Sequence, residues 1–178
     1  MASEFLYCSS FCEENVWQLA QHEEFADDEK RVVFISNPGR VCIFRNQQAA
    51  PNAESTMAWD YHVILLVHRD GWRVWDLDSR LPQGIAASKY LSETFERLFG
   101  EFQRFMPQFR MLQSQEYTSR FHSDRSHMQD ENGEWLAPPP SWDPITNPAA
   151  ISFFKWTEMD DNDEVLSLDK MKEFVNQE

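Results

Sequence analysis

The sequence predicts an α+β fold, an antiparallel sheet flanked by helices, in a single catalytic domain covering residues 1–178. Three observations predict it. Short runs rich in β-branched and aromatic residues, at 31–36, 41–45, 59–67 and 72–77, are bounded by turn residues. Stretches before and after them, 10–25 and 88–99, instead carry apolar residues at helical spacing. No internal repeat or composition break divides the chain, and at this length one core can bury about 70% of the surface the unfolded chain exposes.

The elements follow in order. Ser10-Phe11-Cys12-Glu13 has the form of a capping box, with Ser10 as N-cap and Glu13 three residues on. Val16, Trp17, Ala20 and Phe25 then give a helical face running to about Phe25. Residues 31–36 read as a strand, Asn37-Pro38-Gly39 as a turn, 41–45 as a second strand and 47–55 as a loop. The stretch 59–67 is apolar on both faces, which predicts a central strand. Arg69-Asp70-Gly71 is a hairpin turn, and 72–77 is the return strand. Residues 88–99 place Leu91, Phe95, Leu98 and Phe99 on one helical face, with Gly100 as a stop. Residues 109–112 read as a further strand. The segment 119–147 is polar and proline-rich, a long connection of the kind that often carries function. Residues 158–164 form an acidic, solvated loop, and Ser167 starts a last helix through Leu168, Met171, Phe174 and Val175.

Composition excludes more than it selects. Sixteen basic against thirty acidic residues leave a formal charge of −14, which repels phosphate backbones and argues against a nucleic-acid partner. The same field suits a cationic group such as a peptide α-ammonium, or simply keeps the protein soluble. The longest apolar run, Val63-Ile64-Leu65-Leu66-Val67, falls far short of the ~20 residues of a membrane helix. Met1 to Tyr7 has no basic segment followed by an apolar stretch, so no secretory signal is predicted. The expected location is the cytoplasm, with the nucleus also open to it. No heptad or long apolar stripe stands out, which predicts a monomer.

Cys8, Cys12 and Cys42 make an odd number without a disulfide framework, and Cys8-x-x-x-Cys12 has no zinc-finger company. Taken alone, Cys12 reads as a small buried hydrophobe and His62 as a core histidine satisfied by backbone. Position changes this. In the first turn of a helix, unpaired N–H groups and the macrodipole favour a Cys12 thiolate and could bind an oxyanion. Glu13 and Glu14 oppose it unless their side chains turn to solvent. Asp76, enclosed by Trp75 and Leu77, is an expensive carboxylate without a partner.

Register decides whether His62 and Asp76 can meet. A two-residue Asp70-Gly71 loop would put them on opposite faces. A three-residue loop with Gly71 left-handed pairs His68 with Trp72, which sets His62 opposite Asp78 and makes Asp76 its diagonal neighbour. The functional reading therefore predicts the bulged hairpin.

Phe11-Cys12-Glu13-Glu14-Asn15-Val16-Trp17, Val33-Phe34-Ile35-Ser36-Asn37, Trp59-Asp60-Tyr61-His62-Val63 and Asp76-Leu77-Asp78 occur in that order. With Ser123-Asp124-Arg125-Ser126-His127-Met128 and Pro138-Pro139-Pro140 they resemble the protein N-terminal glutamine amidohydrolase family, over roughly Tyr7 to Pro140. The resemblance implies a papain- or transglutaminase-like thiol hydrolase fold and no metal or other cofactor. It implies a Cys12–His62–Asp76 catalytic triad that deamidates N-terminal glutamine of proteins to glutamate through a thioester, in the N-degron pathway. Its expected partners are proteins and peptides with a free N-terminal Gln.

Selectivity for an N-terminal residue needs a carboxylate for the α-ammonium. Glu13, Glu14, Asp60 and Asp78 are near the triad in sequence, and Asp78 is preferred because the hairpin register sets it opposite His62. His122, Asp124 and His127 invite a metal, but their spacing does not align them on one helix face; a structural or lid role for 123–127 is expected, with Arg125 buried in a carboxylate pair. The competing readings are a transglutaminase or peptidase on the same triad, and a catalytically silent module that binds N-terminal residues.

Overall fold

The structure, a computed structural model, describes residues 5–95, 100–148, 150–159 and 165–177. Its frame is the strand β1 (Glu29–Ser36), which pairs on one side with β4 (His62–His68) and on the other with β7 (Gln108–Gln113). Outside β4 lie β5 (Trp72–Trp75) and β6 (Ile85–Ala86); outside β7 lies β8 (Val165–Ser167). The order is β6-β5-β4-β1-β7-β8 and each pair is antiparallel. A separate ribbon joins β2 (Cys42–Phe44) to β3 (Met57–Trp59).

Both faces of the sheet are buried, which explains why β4 is apolar throughout. One face sets Val32, Phe34, Val63, Leu65 and Val67 against helix α1 (Cys12–Ala20), Phe25, Tyr117 and Phe153. The other sets Val33, Ile35, Ile64 and Leu66 against α2 (Ala87–Thr94) and α5 (Leu168–Val175). Leu65 and Ile64 are wholly excluded from solvent, and burying such a side chain contributes about 1.5–3 kcal/mol. As expected, Ser167 caps α5, accepting from the Lys170 N–H.

Several expectations are corrected. Ser10 is not a cap: it takes a left-handed conformation at φ 69, and Phe11 is the N-cap, without a side-chain bond. The side chain of Asn15 anchors the entry instead, accepting from Cys8 N–H and donating to Cys8 C=O, both at 2.8 Å. The helix ends at Ala20, and Phe25 belongs to a following 3₁₀ turn. The stretch 59–67 is two strands, broken where the Asp60 carboxylate accepts from the Tyr61 N–H. The return strand stops at Trp75, and α2 stops at Thr94 with Phe95 already extended. Leu98, Phe99 and residues 160–164 of the acidic stretch lie outside the described residues. Two further helices, α3 (Ser114–Arg120) and α4 (Phe154–Thr157), and the short β6 and β8 escaped the reading. Each is two to seven residues long, and α3 buries only Tyr117, too little for a periodic signal.

The β4–β5 hairpin is the predicted one. His68 pairs with Trp72 across the three-residue loop, with Gly71 at φ 94 and Asp70 at φ 51. Leu65 pairs with Trp75, and the chain then leaves β5 in a turn closed by Ser79 N–H on the Asp76 carbonyl.

Candidate active site

Where β5 ends, its first free carboxylate meets the first residue of β4. His62 Nε2 lies 2.8 Å from Asp76 Oδ1, with 3% and 2% of the two side chains exposed. Asp76 is held from four directions: the Tyr90 hydroxyl donates to Oδ2 at 2.7 Å, Gln47 Nε2 to Oδ2 at 3.4 Å, Asp78 N–H to Oδ1 at 3.1 Å, and His62 completes the set. The His62 ring is fixed by Phe44 edge-on at 5.5 Å and Trp59 stacked at 6.3 Å. Trp59 in turn donates its indole N–H to Gln47. With Nε2 occupied, Nδ1 is the nitrogen left for other work. Tyr90 and Gln47 had no sequence signal, because neither stands in a motif and both reach Asp76 from separate elements.

The electrostatics of this pair are mutual. Burial, the strongest influence on His62, favours the neutral ring, but the Asp76 charge and hydrogen bond outweigh it and raise its pKa. Burial likewise would raise Asp76, yet the His62 charge and the donors around it hold the carboxyl below its usual range. Asp78 is raised, chiefly by burial, with His62 pulling the other way.

Cys12 opens α1, as the reading required, and is 9% exposed. With His62, Trp59, Asp60, Tyr61, Asp78, His127, Met128 and Ser10 it lines a cleft of about 240 Å³. Its thiol donates to Glu13 Oε2 at 3.6 Å, not to His62. Burial, then the Glu13 and Asp78 charges, push the thiol well up, while the Val63 N–H favours the thiolate. Burial beside Glu13 thus disfavours the thiolate form of Cys12 in this arrangement.

Glu13 and Glu14 do not turn to solvent, the condition under which they would not oppose a Cys12 thiolate: they are 2% and 0% exposed. Glu14 has its partners from the segment 119–147, and Glu13 has Tyr61, which that segment touches through His127. Arg125 grips Glu14 with Nε and Nη2, both at 2.7 Å, and the Trp142 indole N–H adds a third bond at 2.7 Å. The buried Arg125 pair is thus the expected one. Glu13 accepts from the Tyr61 hydroxyl at 3.2 Å, and Tyr61 shares a 3.3 Å bond with His127 Nε2. Burial pushes the Glu13 carboxyl up to about 7.

Of the acids considered for an α-ammonium, Asp78 and Asp60 line the cleft and Glu13 and Glu14 do not. Asp78 accepts from the Tyr7 hydroxyl at 2.6 Å. Asp60 is 59% exposed at its side chain and lies 3.6 Å from Arg40. His122, Asp124 and His127 do not converge: Asp124 is taken up by Ser126, and His127 Nδ1 by the Asp124 carbonyl. Among the described residues, His62, Asp76 and Asp78 are the group of three with ligand atoms within 4.8 Å of one another. There Asp76 already has four donors, an arrangement suited to orienting His62 more than to holding a cation.

The arrangement supplies a thiol at a helix N-terminus, a histidine with one nitrogen free, and a carboxylate that orients it, which is the grouping of nucleophilic acyl transfer. The chain matches the family model for N-terminal glutamine amidase over residues 7–176. It is 36% identical over 143 residues to proteins from Bos taurus and Homo sapiens, each named protein N-terminal glutamine amidohydrolase. In both comparisons 77% of this chain and 69% of the relative are covered. A Drosophila mojavensis protein of the same name is 37% identical over 162 residues, covering 82% of this chain and 78% of the relative.

Proposed function

We infer the function from one premise: this chain belongs to the N-terminal glutamine amidase family. We propose that it hydrolyses the side-chain amide of an N-terminal glutamine on proteins and peptides, giving glutamate and ammonia. The observation that carries the proposal is the shared cleft, in which Cys12 and a His62 bound at 2.8 Å to Asp76 face one space.

In this mechanism the Cys12 thiol turns from Glu13 and gives its proton to His62 Nδ1, because Nε2 is committed to Asp76. The thiolate attacks the amide carbon of the substrate side chain. The first N–H groups of α1, which have no intrahelical partner, hold the oxyanion. His62 protonates the leaving nitrogen, ammonia departs, and a water that His62 deprotonates cleaves the thioester. The order Cys, His, Asp along the chain, with the nucleophile on a helix packed against the sheet, supports a papain- or transglutaminase-like architecture. The product, an N-terminal glutamate, suits the N-degron step that the family resemblance implies. Three free cysteines suit a reducing compartment such as the cytoplasm.

For the α-ammonium we propose Asp78. It lines the cleft, it lies within 4.8 Å of His62, and it keeps a second carboxylate oxygen besides the one bound by Tyr7.

The test uses three peptides: free N-terminal Gln, the same with its α-amine acetylated, and internal Gln. Ammonia release and a mass gain of about 1 Da, as an amide becomes an acid through a hydrolysed thioester, should appear on the first only and vanish in Cys12→Ala. Reaction on internal Gln would replace the proposal with a broader amidase.

A further inference from the structure

Two acids follow the nucleophile directly, and one loop serves both. Arg125 neutralises Glu14 by a fixed ion pair. Among the described residues Glu13 has no salt-bridge partner; it is joined through Tyr61 to His127, two residues beyond Arg125. We propose that Glu13, Tyr61 and His127 are a proton relay that discharges Glu13 when the Cys12 thiolate forms. The inference rests on Cys12 being the nucleophile.

The geometry of the hydrogen bonds carries it. His127 Nδ1 is 2.8 Å from the Asp124 carbonyl oxygen, which can only accept, so Nδ1 holds a hydrogen. Two arrangements of the remaining hydrogens then satisfy the chain. In one, His127 is protonated, its Nε2–H donates to Tyr61, the Tyr61 hydroxyl donates to Glu13, and Glu13 is an anion that receives the Cys12 S–H. In the other, His127 is neutral, Tyr61 donates to its Nε2, and Glu13 is a carboxylic acid that donates to Tyr61. The two differ by one proton passed along the chain and carry the same total charge.

Passage from the first to the second breaks His127 Nε2–H and forms a new Tyr61 O–H. The old Tyr61 O–H breaks, and a Glu13 O–H forms. No outside reactant enters, and Tyr61 is a hydroxyl at both ends. Its ionisation is strongly disfavoured by burial and by the Glu13 charge, so it hands protons on without keeping a charge. The effect is to move a negative charge away from a sulfur 3.6 Å distant as that sulfur becomes negative. Burial raises the Glu13 carboxyl to about 7, so the site accommodates the protonated acid that the second arrangement needs. The other ionisable groups facing Glu13 are Cys12 and Glu14 from its own helix, Tyr117 from α3, whose hydroxyl donates to the Glu13 carbonyl, and, at longer range, His62 of β4 and Arg125 of the 119–147 segment, on both of which the Glu13 charge acts. Glu14 is already paired. His127 is flanked by the rings of Phe153 and Phe154 and lines the cleft, so the far end of the relay lies beside the substrate space.

Glu13 touches the reacting sulfur; Tyr61 and His127 act through it as positioning residues. The test is the pH profile of Cys12 alkylation by iodoacetamide, followed by mass spectrometry. At about pH 8, Glu13→Gln, which cannot ionise, should alkylate about tenfold faster than the wild type. His127→Gln keeps a polar partner for Tyr61 but carries neither a transferable proton nor a charge, so Glu13 gains no proton from it as the thiolate forms and alkylation should slow about fivefold. In the double variant that slowing should disappear, because His127 then has no charge to relieve. A His127→Gln loss that persists unchanged in the Glu13→Gln background, or a Glu13→Gln profile that overlays the wild type, overturns the relay. Should Glu13→Gln not fold, infrared titration keeps the question open to decision. A buried carboxylic-acid carbonyl band should titrate near 7 in the wild type and at higher pH in His127→Gln, which lacks the cation that favours the Glu13 anion; an unshifted band overturns the proposal. Deamidation by Cys12→Ala, run alongside, separates the two readings: retained turnover removes the nucleophile itself, whereas lost turnover with an unmoved Glu13→Gln profile removes only the relay.

Discussion

Fourteen positions apart in the chain, His62 and Asp76 meet at 2.8 Å because the β4–β5 hairpin pairs His68 with Trp72. A slip of one residue would carry every side chain of β5 to the other face. Deleting Asp70, to give the tight two-residue turn, should therefore abolish deamidation through loss of that alignment. Full activity in the deletion variant would detach the site from the hairpin register.

Asp76→Asn keeps the shape and removes the charge that sets the His62 tautomer. We expect turnover to fall about 10³- to 10⁴-fold. Circular dichroism should show the fold retained, since Tyr90 and Gln47 still have an oxygen to bond. A fall below about tenfold would make Asp76 a structural carboxylate only.

Stability should decline on the alkaline side for a reason that can be assigned. The Glu13 carboxyl is raised from 4.5 to about 7 by burial, so the folded state prefers the protonated acid. Its contribution is fully present below 4.5 and is lost as pH rises through about 7. The sum is about 3 kcal/mol by linkage. His62 is also raised, by Asp76 against the effect of burial, and so acts in the same sense, present below its unfolded value of 6.5 and lost above it. Thermal melts from about pH 5 to 9 should show the wild type losing Tm relative to Glu13→Gln. Parallel curves would remove Glu13 as the cause.

Arg125→Met leaves the Glu14 carboxylate, 1% exposed, without its cation. The expected cost is about 3–5 kcal/mol, because a lone buried charge is worse than no pair. The double variant Arg125→Met with Glu14→Gln should recover most of it. Chemical denaturation measures both, and equal losses in single and double variants would contradict the pairing.

Asp78→Asn should reduce kcat/KM for a free N-terminal Gln peptide about 10- to 100-fold, the worth of one charged hydrogen bond. Tyr7→Phe is the control, since it removes the 2.6 Å bond to Asp78 while leaving the carboxylate. An unaltered KM in Asp78→Asn would send the ammonium to Asp60.

Much of the site was legible because its signals are local. Cys12 at a helix start, His62 in an apolar strand and Asp76 between large apolar residues each stand out against their neighbours, and the need to bring His62 and Asp76 together chose the bulged register over the tight turn. The segment 123–128 was visible as a motif, and the buried partner of Arg125 was expected, but its identity as Glu14 was not. That pairing spans 111 residues of chain, beyond anything periodicity can report. Whether Glu13 and Glu14 face solvent was left open for the same reason: two adjacent acids in the first turn of a helix give no local sign of the distant groups that cover them.

By itself, then, the sequence determined the α+β class, the place of the hairpin that joins β4 to β5, and that His62 and Asp76 are polar residues in apolar strands that need partners. These follow from short-range rules: alternation, helical spacing, glycine at a left-handed turn position, and the cost of burying a polar group. Only the tertiary structure decided what each buried polar group is paired with. Tyr90 and Gln47 on Asp76, Arg125 and Trp142 on Glu14, and the Tyr61–His127 chain on Glu13 come from elements that are remote in sequence. Hydrogen bonds act over about 3 Å, so which groups satisfy one another is settled only when the chain has been packed and the water between them is gone.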